Sequence, residues 1–208
     1  MSRDDRYASQ AEGWSERSYA DPSAYLEHRA ELVADLAVPL VPRETVLDLA
    51  CGDGRLGLHL RARGLDYRGV DAEPAMVDAA TRRLGPGIVE LGDLETYLPS
   101  EPVACTTVFR AIYYARDRDA LFRHVRGYTT RKLVFDLDPR RFDVDGVIHE
   151  LEAAGFARPV LRPFLVPQTR RLPAPLAAAL RAAERSAALS SLLLRTRFTY
   201  LVAAAVER

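Results

Sequence analysis

The chain is 208 residues long, 48% apolar and 28% charged, with a formal net charge of zero. Those values fit one globular domain, or one domain with an elaboration, and allow a large single core. A balanced charge gives no whole-chain field for nucleic acid or an anionic membrane, and no apolar run approaches the ~20 residues that span a bilayer.

The polar start, MSRDDRYASQAEGWSERSY, has no apolar h-region, so no signal peptide and a cytoplasmic protein are expected. Arginine supplies nearly all the positive charge and Lys132 is the only lysine, which reads as a GC-rich coding bias and a bacterial source. Cys51 and Cys105 lack zinc-type spacing and read as two reduced thiols.

In chain order, residues 1–20 are polar with isolated aromatics, Tyr7, Trp14 and Tyr19. DPSAYLEHRAELVADLA reads as a helix with Asp21 as N-cap and Pro22 in the first turn. Five units of strand followed by helix or short segment come next, opening on TVLDLA, YRGVDA, GIVELGD, VACTTVF and KLVFDLD. Near-continuous apolar strands between amphipathic helices imply a parallel sheet covered on both faces. ARPVLRPFLVP and TRFTYLVAAAVE read as the last two strands, joined by an Ala/Leu-rich helical insertion over 168–196. Residues 1–40 read as an N-terminal cap, and the whole of 1–208 as one domain.

The turn after the first strand carries Gly52, Gly54 and Gly57 in a G-x-G-x-x-G pattern. Such a loop, ahead of a helix N-terminus, lets backbone approach a ligand closely. One reading is a dinucleotide site, with Asp71 as the ribose acid and an NAD-dependent oxidoreductase as the function. Three acids speak for a different ligand. Asp48 lies inside the first strand, Asp71 ends the second and Asp93 follows the third, while Arg55 is the only basic residue in the loop. Acids at three successive strand ends suit an adenosyl cation better than a polyanion.

In order, VLDLACGDGRLGLHL, GVDAEPAMVDAA, GDLETY, VFRAIYYARDRDALFRHV and KLVFDLDP resemble the class I S-adenosylmethionine (SAM)-dependent methyltransferases of the small-molecule type. The resemblance covers roughly residues 22–160 and the last strand. It implies an α/β Rossmann-like, seven-stranded, mostly parallel sheet with the last strand antiparallel. It also implies SAM as cofactor, with S-adenosylhomocysteine as product, and methyl transfer to O, N or C of a small-molecule acceptor. Asp48, Ala50, Gly52 and Gly54 would line the methionine part; Ala50 stands where glycine is commonest. Asp71 would hold the ribose, Ala72 and Met76 would flank the adenine, and Asp93 with Leu94 would cap it. Arg110 and Ala111 would lie near the amino-acid end and the methyl, and Tyr25 or Arg29 would meet the carboxylate.

The family has no fixed catalytic residue; Tyr113, Tyr114 and His28 are the candidates here. His59, His124 and His149 read as surface or core histidines, and Asp136 and Asp138 as strand-end and turn acids rather than a base or a metal site. No His/Asp/Glu cluster argues for magnesium, and no Asn-Pro-Pro-Tyr segment follows the fourth strand. A small-molecule acceptor is therefore expected, and no nucleic acid. Over 168–197 six arginines (Arg170, Arg171, Arg181, Arg185, Arg195, Arg197) face one acid, Glu184, beside Leu176, Leu180, Leu189, Leu192, Leu193 and Leu194. That segment reads as a substrate lid, a peripheral membrane contact, a dimer face or a helix packed on the domain. A monomer or homodimer fits, and a non-catalytic binding protein on the same fold is the third reading of function.

Overall fold

The computed structural model describes residues 13–157, 159–196 and 198–206, with side chains described through Leu193 in the last helix. Tyr7 and Arg197, and the side chains of Leu194 and Arg195, lie outside the described residues. Among the described residues two helices come first, α1 (Trp14–Ser18) and α2 (Pro22–Asp35). The sheet begins with β1 (Thr45–Leu49), α3 (Arg55–Ala62), β2 (Asp66–Asp71), α4 (Pro74–Leu84) and β3 (Val89–Leu91). β4 (Val103–Val108), a 3-10 turn (Ile112–Tyr114), α5 (Arg118–Arg126), β5 (Thr129–Leu137), α6 (Val144–Ala153) and β6 (Val160–Pro163) follow. The chain closes with α7 (Ala174–Glu184), α8 (Ala187–Thr196) and β7 (Tyr200–Ala205).

The seven strands lie in the order β3-β2-β1-β4-β5-β7-β6. β1, β2, β3, β4 and β5 pair in parallel, and β7 runs antiparallel to both β5 and β6. This is the expected class I sheet. Strand periodicity divides the core between its two faces. Leu47, Leu49, Leu133 and Phe135 join Phe122 and Phe156 on one face, while Val46, Val134, Leu201 and Ala203 join Val33 and Leu60 on the other.

The third unit carries the short segment expected after its strand, and from β3 to β4 that segment is a set of turns. The insertion is two helices, because the chain breaks at Arg185 and Ser186 and the Ser186 hydroxyl accepts from the Leu189 amide. Asp21 does cap α2, accepting from the Ala24 amide at 3.1 Å.

Lys132, the single lysine, is fully buried on β5 and donates to the carbonyls of Ala34 (3.2 Å) and Leu36 (2.9 Å) at the end of α2. It thereby adds a donor at the helix end, where intrahelical partners run out and the Ala34 carbonyl also accepts from the Leu40 amide at 2.8 Å. Burial pulls its pKa down to about 8. His28 on α2 and Glu184 on α7 form a second buried link, Nε2 to Oε2 at 2.6 Å, and the other Glu184 oxygen accepts from the Leu165 amide at 2.6 Å. The insertion is thus fastened to the N-terminal helices from inside.

The third glycine of the loop is set by packing. A Cβ on Gly57 would stand 2.6 Å from the ring of Tyr67, closer than any carbon contact allows. Gly57→Ala is expected to lower stability by about 1–3 kcal/mol through overpacking against β2. Urea unfolding of the variant beside Gly57→Ala/Tyr67→Leu, which removes the obstructing ring, measures this; the double variant should recover part of the loss.

Candidate functional site

Ligands of open α/β sheets sit beyond the carboxyl ends of the strands, where the strand order reverses. Here that point lies between β1 and β4, and a cleft of about 550 Å3 opens there. Most of the expected residues gather on its wall: Arg29, Asp48, Ala50, Gly52, Asp71, Ala72, Met76, Asp93, Leu94, Arg110 and Ala111. Tyr113 and Tyr114 line it too. Three expected residues do not. Gly54 lies beneath the cleft, where a Cβ would meet Ala80 at 2.8 Å. Tyr25 faces a second cavity alongside. His28 lines neither; it is 3% exposed and spent on Glu184.

The loop itself is built from left-handed residues: Ala50 (φ +58°), Gly52 (+58°) and Gly54 (+70°). The αL region costs a non-glycine residue roughly 1–2 kcal/mol, which is why glycine suits Gly52 and Gly54 and why a small Ala50 stands at the third such position. The bend presents backbone to the cleft. Asp71 fixes it, with Oδ2 accepting from the Gly52 amide at 2.8 Å and Oδ1 from the Glu73 amide at 3.0 Å. Each oxygen keeps a lone pair for a ligand hydroxyl. Burial raises the Asp71 pKa, while the bonds from Glu73 and Gly52 pull it back.

Asp48 is buried beneath the loop. Its Oδ1 accepts from the Thr107 hydroxyl at 2.6 Å and its Oδ2 from the Tyr67 hydroxyl at 2.9 Å. Burial pushes its pKa up to about 6, opposed by those two bonds and by Arg29. Asp93 turns toward its own segment, Oδ1 accepting from the Glu95 amide at 2.8 Å. Glu95 in turn accepts from the Arg116 amide at 2.7 Å, which ties the turns after β3 to those after β4.

The middle of the site is organised by Asp136. Its Oδ1 accepts from the Arg110 amide at 2.7 Å, and its Oδ2 pairs with Arg29 Nη2 at 3.2 Å. Arg110 holds a left-handed φ of +53° there. Arg29 is buried, its guanidinium 4.2 Å from the centroid of Phe109, with Tyr25 and Phe164 further out. Burial alone would lower its pKa, yet Tyr25, Tyr19 and Asp136 hold it above the usual arginine value.

Several wall residues escaped the sequence reading, Asp53, Glu95 and Phe109 among them. Asp53, inside the glycine loop, accepts from the Ser15 hydroxyl at 2.8 Å and pairs with Arg83. Arg55 pairs with Glu16. The side chain of Trp14 lies 3.7 Å from where a Gly52 Cβ would stand, and packs with Met76 and Ala79. So α1 is latched across the loop. Trp14 was visible as an isolated aromatic; its destination was not, because the contact spans 38 residues of chain.

Comparison with known proteins agrees with this fold. Residues 46–131 match the family described as "Methyltransferase domain". A chain from the complex of the Haloferax volcanii Trm112 methyltransferase activator superimposes with a TM-score of 0.67 at 18% identity, covering 100% of this chain and 99% of that one. The likeness in structure is one of fold, the seven-stranded sheet of that chain being the sheet described above. Magnesium protoporphyrin IX methyltransferase from Synechocystis, solved with bound SAM, superimposes on this chain with a TM-score of 0.60 at 17% identity, over 90% of this chain and 83% of that one. The bovine (Bos taurus) 18S rRNA (guanine-N(7))-methyltransferase is 42% identical over 57 residues, 27% of this chain and 20% of the relative. The match thus spans about a fifth of that relative's length.

Asp48 gives the protein a pH signature. Its folded pKa, near 6, lies above the 3.8 of a free aspartate. Between those values the folded chain holds a proton that the unfolded chain has released, so stability falls as pH rises through the window. Wild type should lose up to about 3 kcal/mol from this group between pH 4 and pH 7, and Asp48→Asn should not. Urea midpoints of both proteins across that range check it.

Proposed function

We propose that the chain transfers a methyl group from SAM to a small-molecule acceptor. The observation that carries this reading is the convergence of Asp48, Asp71 and Asp93 around one open glycine loop. The cleft fits the cofactor by its own chemistry. Gly52 presents bare backbone, Asp71 keeps free lone pairs, and Met76 offers a buried apolar wall. When bound, the cofactor supplies a methyl carbon on sulfonium, to which the acceptor atom bonds while the C–S electron pair stays on sulfur.

The protein's own part is placement. Asp71 would receive the ribose hydroxyls, Ala72, Met76, Asp93 and Leu94 the adenine, and Ala50 and Gly52 the aminoacyl chain. Asp48, with both oxygens already bonded to protein hydroxyls, would act through its charge and by holding the loop. Arg29 would meet the carboxylate, fixed by Asp136 so that the guanidinium needs no reorganisation. Tyr113, half exposed at the cleft mouth, and Tyr114, edge-on to it with ring centroids 4.3 Å apart, would position the acceptor. Holding two reactants in line is by itself worth about 7–11 kcal/mol, so no dedicated base is required unless the acceptor arrives protonated.

The dinucleotide reading has little support at the loop. Arg55 and Arg83, the cations beside it, are turned to Glu16 and Asp53 and away from a pyrophosphate. A small acceptor is favoured over RNA by the second cavity, about 410 Å3, which adjoins the cleft at Tyr113. The rRNA methyltransferase match covers too short a segment to carry that relative's acceptor. Arg171, Arg181 and Arg185 of the insertion reach back to Asp21, the Ala24 carbonyl and Glu31, which supports a lid packed on the domain over a membrane contact.

Calorimetric titration with S-adenosylhomocysteine tests the reading. Binding is expected, weakened about 10- to 100-fold in Asp71→Ala by loss of charge-assisted hydrogen bonds. NADH should produce no heat. An unchanged affinity in Asp71→Ala would count against the assignment.

A further inference from the structure

The second cavity lies beyond the ends of β4, β5 and β6 and shares Arg29, Arg110 and Tyr113 with the cofactor cleft. Its charges do not balance. Four guanidiniums face it, from Arg29, Arg110, Arg140 and Arg141, against two carboxylates, Asp136 and Asp138. Both acids are already committed. Asp136 holds Arg29 and the Arg110 amide, and Asp138 accepts from Arg140 Nε at 2.9 Å and Nη2 at 2.8 Å. That matches Arg29 and Arg140.

Among the described residues, neither Arg110 nor Arg141 pairs with a carboxylate. Nη1 of Arg110 is buried with no acceptor. Arg141 stands with its guanidinium 5.6 Å from the centroid of the Tyr113 ring. Tyr19 hydrogen-bonds the same guanidinium, but a buried donor nitrogen left unsatisfied is costly, and this one lies where the two cavities meet. The rest of the wall is aromatic: Phe142, Phe164 and Phe198 join Tyr113. Phe198 and Tyr113 are exposed there, so the aromatic surface is open to a ligand. Flat apolar walls select a flat apolar body, and a guanidinium fork selects an oxyanion.

We infer that this cavity takes the methyl acceptor, and that the acceptor is an aromatic anion, its ring among Tyr113, Phe142 and Phe198 and its oxyanion on Arg110 and Arg141. The inference rests on the methyltransferase reading for the word acceptor; the binding preference does not. A carboxylate and a phosphate ester share the chemistry.

The test is a calorimetric titration of the full chain, saturated with S-adenosylhomocysteine, using 2-naphthoate, 2-naphthyl phosphate and the neutral 2-naphthamide. At least one anion should bind about tenfold or more tightly than the amide, and the tighter of the two identifies the oxyanion. In Arg141→Met the preference should shrink to within about twofold, and Arg141→Lys should restore part of it, with melting temperatures confirming that both variants fold. Equal binding of amide and anions, no binding of any probe, or a preference that survives both Arg141→Met and Arg110→Met would overturn the inference. If S-adenosylhomocysteine itself fails to bind, the methyltransferase reading falls, and the same titrations without it decide the cavity alone.

Discussion

Both oxygens of the Asp136 carboxylate are committed, one to the amide of Arg110 and one to the guanidinium of Arg29. Three elements meet at that side chain: the end of β5, the end of β4 and the cap helix α2. Arg110 occupies a left-handed conformation that costs a non-glycine residue about 1–2 kcal/mol, and a charge-assisted bond from its amide is of the size to offset it. Arg29 would otherwise be a buried charge in an aromatic cage. Without Asp136 the strained strand end and the buried cation would lose their common anchor. The two cavities that meet at Arg29 and Arg110 would then lose their shared wall.

The sheet was legible because burial on both faces writes itself as continuous apolar strands. TVLDL and KLVFDL could hardly belong anywhere else. The segment after GIVELGD was harder, since turns and a short helix share composition. The glycine loop and its three acids were legible as residue types at strand ends, where side-chain direction follows from the pleat. Their partners were not. Tyr67 and Thr107 on Asp48, Ser15 on Asp53 and Glu184 on His28 join positions from 19 to 156 residues apart. Such pairings depend on which helix lies over which strand, and no local spacing encodes that. His28 shows the hazard. Its place on the cap helix suggested a role at the pocket, and its ring is instead held by the single acid of the insertion.

Buried charge in this chain fastens accessories to the sheet. Lys132 holds the end of α2, Glu184 holds the insertion, and Asp53 holds α1. Each link would be expensive to leave half made, which gives the added segments defined seats on a domain whose core could accept many. The two cavities are thereby kept in register. The N-terminal latch crosses the glycine loop, and the insertion backs the aromatic chamber.

β7 is the last strand in the chain, yet it lies between β5 and β6, wholly inside the sheet. During synthesis, β1 to β5 can pair as they emerge, because each parallel neighbour is already present. β6 cannot join them; its only route into the sheet is through Tyr200–Ala205. Until those residues leave the ribosome, the edge of β5 stays unpaired and the wall behind Phe164 and Phe198 has nothing to close it. An exposed edge of that kind is a point of aggregation. The half around the glycine loop is therefore buildable early, and the half around the second cavity is assembled in one late event.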